Sequence, residues 1–201
     1  MRFHYGPPPE DPQFQPLAQG WHSIREPGPV LVQVLAIPVA VLAFLGLGVA
    51  ITQISGSSPF PLILSVEALL WFIGLVPLHE MLHLLAHPDF GFSHRSVVGA
   101  WLSRLLFYAV YLGPMRRARF LTALAAPFVV LSLAPLLVMA LGRAIPLSGE
   151  SLHHLALLSL VNGVASAGDL VGLALVGLQV PRGAILQDKG WKTYWKRDDG
   201  R

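Results

Sequence analysis

Long apolar runs separated by short polar breaks dominate the pattern of this chain. Val30 to about Ile54 carries no charged residue, and at about 20 residues per 30 Å of hydrocarbon it is long enough to span a bilayer as a helix. Pro38, Gly46 and Gly48 inside it are tolerable where neighbouring helices repair the backbone. After the turn Ser55–Pro59, a second run extends from Pro61 to about His87, where Pro88 disfavours helical backbone in its predecessor. Phe120 to about Leu141 forms a third run, expected to bend at Pro127 or Pro135. Gly142 to Glu150 reads as a loop, and Leu152 to about Val180 as a long fourth helix.

The segment between the second and third runs, Asp89 to about Arg119, is mixed. Positions 98, 101, 102, 105 and 109 fit a helical stripe, whereas the β-branched and aromatic content fits a hairpin at the membrane edge. Residues 1–29 contain seven prolines and no apolar core of their own, which predicts an extended cytoplasmic arm. No signal peptide is expected, because the first apolar run begins only after Pro29. Residues 181–201 form a basic, Trp-containing tail suited to a headgroup surface. The expected organisation is therefore an arm (1–29), a membrane-embedded domain (30–180) and a tail (181–201). The fold class is an all-α integral membrane protein of about four transmembrane helices, with the hairpin as a possible addition.

Composition agrees with this class: of 201 residues 54% are hydrophobic and 12% charged, and the mean hydropathy is +0.59. The net charge of +3 could suggest nucleic acid, but the basic residues flank the apolar runs and are not interleaved with aromatic residues on a folded scaffold. With four spanning helices only Arg143 falls opposite the arm, hairpin and tail, so both termini are expected in the cytoplasm. The chain has no cysteine, which leaves His, Asp and Glu as metal ligands.

The chemistry centres on His79-Glu80-Met81-Leu82-His83, a His-Glu-x-x-His pattern. A four-residue helical step places the two imidazoles about 40° and roughly 6 Å apart, on one face, where they can share a Zn2+ ion. Glu80 lies about 100° round from His79 and is the candidate general base. His87 continues the run, but two helical turns put it about 12 Å from His79, so it is expected as an interfacial residue. Glu67 reads as a carboxylate near the outer interface or as part of a proton or substrate path.

Depth selects a third ligand. Counted from Pro61, the histidine pair lies about 30 Å along helix two, and Asp169 lies about 26 Å along helix four from Leu152. His153 and His154 lie only about 2 to 3 Å along it, a membrane's width away. An unpaired carboxylate in so apolar a run requires a partner, and a metal ion is a strong one. The small residues around Asp169 allow close approach of helix two, and Gly163 and Gly168 allow helix four to bend there. Asn162 is positioned either to contact an oxyanion or substrate backbone, or to bond a neighbouring helix.

A membrane-embedded His-Glu-x-x-His followed by a later helix with Asn and Asp resembles the site-2 proteases. More closely, the chain resembles a family of short bacterial membrane proteins classed as zincin peptidases, whose late motif has an Asn and then Ser-x-Gly-Asp, here Asn162 and Ser166-Ala167-Gly168-Asp169. The likeness covers roughly Pro61 to Val180. It implies His79, His83 and Asp169 as zinc ligands, Glu80 as base, a bacterial cell membrane location, and an edge segment after helix two that receives a substrate strand. Site-2 proteases usually carry Asn-x-x-Pro before the Asp-Gly; here Ala165 replaces that proline and Leu170 follows Asp169. The expected activity is intramembrane zinc-dependent hydrolysis of a membrane protein or peptide substrate. A non-proteolytic metal-binding membrane protein and a metal-free scaffold are the competing readings; Glu80 would be dispensable in the first, and no metal would be held in the second.

Overall fold

The helix α1, Pro29–Ser55, follows the first apolar run closely, with Pro29 in its first turn, where a missing N–H costs nothing, and Gly56 closing it in a left-handed conformation at φ 75°. A computed structural model describes residues 1–60, 65–142 and 147–198; Pro61 and Arg143, used above to place helix two and the far side, lie outside them. The helix α2, Val66–Ala86, starts at Ser65, whose hydroxyl accepts the Ala68 N–H at 3.0 Å, and ends where His87 turns extended before Pro88.

The third run is continuous from Arg117 to Leu141, with a change of helical register between its prolines. The helix α3, Arg117–Phe128, passes through a wide π-turn at Val129–Leu133 into α4, Ala134–Leu141. The fourth run divides into α5, Gly149–Ala165, and α6, Ala167–Gln179, bent by 53° at Ser166. Among the described residues three helices are thus long and apolar enough to cross a membrane, or four if the bent pair is one span.

The expectation of an all-α fold is corrected: the described residues are mostly helical (58%) but include two small sheets. The first takes the mixed segment, settling it as the hairpin β3 (Ser96–Trp101) and β4 (Leu106–Tyr111), with β1 (Arg2–Tyr5) parallel to β3. The second orders β2 (His22–Ser23), β7 (Lys192–Arg197), β6 (Ala184–Lys189) and β5 (Met115–Arg116). The residues read as arm and tail therefore fold onto each other. Phe14, Trp21 and Ile24 are buried, Gln179 bonds both the N–H and the carbonyl of Arg25, and Trp191 donates to the Pro27 carbonyl at 2.9 Å. Backbone pairing supplies what the polar sequence lacks in apolar burial.

α5 is the central helix. Leu157 and Leu160 are fully buried, the first packing with Ala68 and Leu75 of α2 and the second with Leu47 and Ile51 of α1. Ser159 donates to the Ser132 carbonyl at 2.9 Å, at the π-turn where the helical hydrogen-bond register is broken. A further cluster (Ile24, Met115, Phe120, Val176, Leu186) fastens the second sheet to α3 and α6. Outward faces are apolar as well: Leu31, Val34, Ile37, Val41, Leu42 and Leu45 of α1 and Leu69, Leu70 and Ile73 of α2 are exposed. Connectivity puts both sheets at one end of the bundle, where α1 and α3 begin and α2 and α6 finish.

Candidate metal centre

One helical turn separates His79 and His83 on α2, and their ring centroids stand 5.0 Å apart on the face turned to α3 and α6. The bend at Ser166 turns the start of α6 toward that face. Asp169 Oδ2 lies 3.0 Å from His79 Nε2 and Oδ1 lies 3.4 Å from His83 Nε2. The carboxylate thus sits astride the two imidazoles, ninety residues from the first of them.

The other ring nitrogens define the tautomers. His83 Nδ1 lies 2.8 Å from the Ala123 carbonyl, which can only accept, so Nδ1 carries the hydrogen. His79 Nδ1 lies 3.0 Å from Asn162 Oδ1, while Asn162 Nδ2 donates to the Pro127 carbonyl, Ser132 Oγ and Ser166 Oγ at 2.9, 2.8 and 3.2 Å. An amide so engaged presents its oxygen to His79, which fixes the hydrogen on Nδ1 there too. In the neutral rings both Nε2 atoms then carry lone pairs, and both face an acceptor-only carboxylate. Three acceptors converging can share a proton or a metal ion, and two imidazoles, each oriented from behind, with one carboxylate are of the kind that could hold a catalytic zinc ion.

Glu80 is buried, with Oε2 making no hydrogen bond. One ligand atom from each of His79, Glu80 and His83 falls within 4.8 Å of the others. All five residues singled out in the sequence, His79, Glu80, His83, Asp169 and Asn162, come together here. Of the two roles open to Asn162, the geometry carries the interhelical one. Its amide hydrogens already have three acceptors, so they are not free for an oxyanion.

A profile of the family described as "Putative zincin peptidase" matches residues 72–185, from mid-α2 into β6, and so includes every one of these five residues. The chain belongs to this family. Its description points to a zinc metallopeptidase, with which the donor set agrees. Neither the curated proteins nor the solved structures contain a match to the chain.

The candidate site opens into a cavity of about 550 Å³ whose walls include β4, from Leu106 to Tyr111, and α6. His87, expected at an interface, is instead 3% exposed in this cavity, its ring 5.7 Å from that of Tyr111. The cavity also has two carboxylates that sequence reasoning missed, Glu26 and Asp188. Burial is the main cause that pushes Glu26 up to about 8 and Asp188 up to about 6; the neighbouring Asp188 charge adds to the first. Glu26 accepts the Thr193 N–H, and Asp188 Oδ1 has no hydrogen-bond partner. No motif marks them, and only the pairing of β6 with β7 and of β2 with β7 brings them in. His153 and His154, set aside on depth, stand at the far end of the bundle against Glu67.

Proposed function

We propose that the protein is an intramembrane zinc metalloprotease that hydrolyses a peptide bond of a membrane-associated substrate in the cytoplasmic half of the bilayer. The observation that carries this reading is the convergence of His79 Nε2, His83 Nε2 and Asp169 on one point beside the unpartnered Glu80 carboxylate.

In this reading His79, His83 and Asp169 hold zinc. When bound, the ion acts as a Lewis acid that polarises the scissile carbonyl and acidifies water. Glu80 accepts the proton of the attacking water and delivers it to the leaving amine. Asn162 and the Ala123 carbonyl keep both imidazoles in the ligating tautomer. The cavity and the buried helix faces limit access of bulk water.

Membrane embedding is supported by the rows of exposed large apolar side chains along α1 and α2, which water-soluble monomers rarely present contiguously. Among the described residues every Lys and Arg lies at the sheet-bearing end, which supports both termini being cytoplasmic; a bacterial cell membrane is the location we propose. His79 and His83 stand near that end of α2. β4 ends its sheet and lines the cavity. A substrate segment unwound from its helix can add to that edge as a strand, which presents its carbonyls to the site.

The test is Glu80→Gln, which keeps the shape of the side chain but cannot take a proton. Purified variant should retain zinc and lose cleavage of a co-reconstituted transmembrane peptide library by at least about a hundredfold. Cleavage at the wild-type rate would remove the base and leave a metal-binding membrane protein that is not a protease.

A further inference from the structure

A second donor cluster stands at the opposite end of the bundle. Glu67, in the first turn of α2, reaches across to His153 and His154 in the first turns of α5. Glu67 Oε2 lies 2.8 Å from His153 Nε2, and Glu67 Oε1 lies 3.5 Å from His154 Nδ1. The two imidazole centroids are 5.4 Å apart. One ligand atom of each residue lies within 4.8 Å of the others. His154 Nδ1 is buried and makes no hydrogen bond.

We infer that Glu67, His153 and His154 form a second metal site, for a divalent first-row transition ion such as Zn2+. Tetrahedral bonds of about 2.1 Å place neighbouring ligand atoms about 3.4 Å apart, so the present spacing, within 4.8 Å, closes on an ion with side-chain shifts of about 1 Å. Two imidazoles and one carboxylate suit zinc, copper or nickel over magnesium or calcium, which prefer all-oxygen shells. The side chains are a third to under a half exposed, which leaves a path for the ion and a position for water. Glu150 Oε1, 3.8 Å from His154 Nε2, adds negative charge at the rim.

The position assigns the site a mechanical role. It joins the same helix pair that meets again at His79 and Asn162, about 18 Å further along α2 and about 14 Å further along α5. A metal clip here fixes the sliding and rotation of α5 against α2, and hence the height at which the ligand sets face each other. The cluster needs no zincin chemistry, so its test is separate from that of Glu80.

Full-length protein in detergent is stripped with chelator, dialysed against buffered Zn2+ and analysed for zinc per chain. Wild type should bind about two equivalents, and Glu67→Gln and the pair His153→Ala with His154→Ala about one. His79→Ala with His83→Ala should also bind about one, which distinguishes loss of the inner site. No zinc in wild type, or a single equivalent that Glu67→Gln retains, overturns the inference. So does a second equivalent that persists in Glu67→Gln. A single equivalent lost in Glu67→Gln is the outer site alone and tells only against the inner one. A Co2+ titration of Glu67→Gln, an isosteric change that leaves the helix packing intact, should lose one of two sets of visible absorption bands, and a spectrum identical to wild type sinks the site.

Discussion

His79 Nδ1 and Asn162 Oδ1 lie 3.0 Å apart, and the same asparagine ties the π-turn of the third run to α5 through Pro127 and Ser132. A single buried amide therefore fixes the ring of a proposed metal ligand and the packing of the helices around it. Removing it leaves His79 free to rotate or to change tautomer. Partners that orient metal-bound histidines typically contribute 10–100-fold in affinity, so Asn162→Ala should weaken zinc binding by about that factor in a competition titration with a chelating dye. Unchanged affinity would mean that packing alone holds the ring.

Asp169 is the third ligand in the proposed set, and its replacement separates metal binding from folding. A ligand held at a thousand times its Kd stabilises by about 4 kcal/mol. Added Zn2+ should therefore raise the Tm of chelator-stripped wild type by several degrees, and Asp169→Asn should lose that part of the shift. Whatever response remains should disappear on adding Glu67→Gln, because it belongs to the outer cluster. A full shift in the doubly substituted protein would place the metal elsewhere.

The centre is legible in the sequence because helix geometry is periodic: a four-residue step fixes His79 and His83 on one face, and depth counting brings Asp169 level with them. Gly163 and Gly168 mark the neighbourhood of the bend at Ser166, though not its 53°. The cap is not legible. His22–Ser23 is a two-residue strand with no alternation to read, and Arg2–Tyr5 gains its place only from a partner some ninety-five residues away, Val97 opposite Arg2. The tail reads by its charge as a surface segment, yet Gly190, at φ 59°, is a turn residue between two strand-like runs and is the one local sign of the β6–β7 hairpin. His87 escapes a one-dimensional reading because distance along α2 says nothing of the sheet that covers it.

Gly99 shows how the first sheet holds the amino terminus. It lies opposite Tyr108 in the β3–β4 ladder and opposite His4 in the β1–β3 ladder. The Tyr108 ring crosses the space a side chain would fill, and its hydroxyl donates to the carbonyls of Gly6 and Pro7 at 3.1 and 3.3 Å. A Cβ at position 99 would meet that ring and stand 2.7 Å from the His4 carbonyl oxygen, which is backbone and cannot swing aside. Gly99→Val should therefore release β1 at a cost of about 1–3 kcal/mol. Faster amide exchange confined to Arg2–Tyr5 and Tyr108 would show it, and exchange as slow as wild type would contradict it.

Glu26 gives the cap a pH dependence whose sign follows from its raised pKa. Burial holds the folded carboxyl protonated up to about 8, whereas in the unfolded chain it ionises near 4.5. Between those values the unfolded state binds fewer protons, so the contribution of Glu26 to stability is fully present below about 4.5 and is lost as pH rises toward 8. A tenfold difference in proton affinity between the two states corresponds to about 1.4 kcal/mol, and solvent at a half-buried group reduces the total to about 1–3 kcal/mol. Glu26→Gln keeps an oxygen for the Thr193 N–H and carries no charge toward Asp188. Its Tm should match wild type near pH 4.5, exceed it by a margin that grows through neutral pH, and hold that margin above pH 8. Parallel curves for the two proteins across this range would show that Glu26 ionises alike in the folded and unfolded chain.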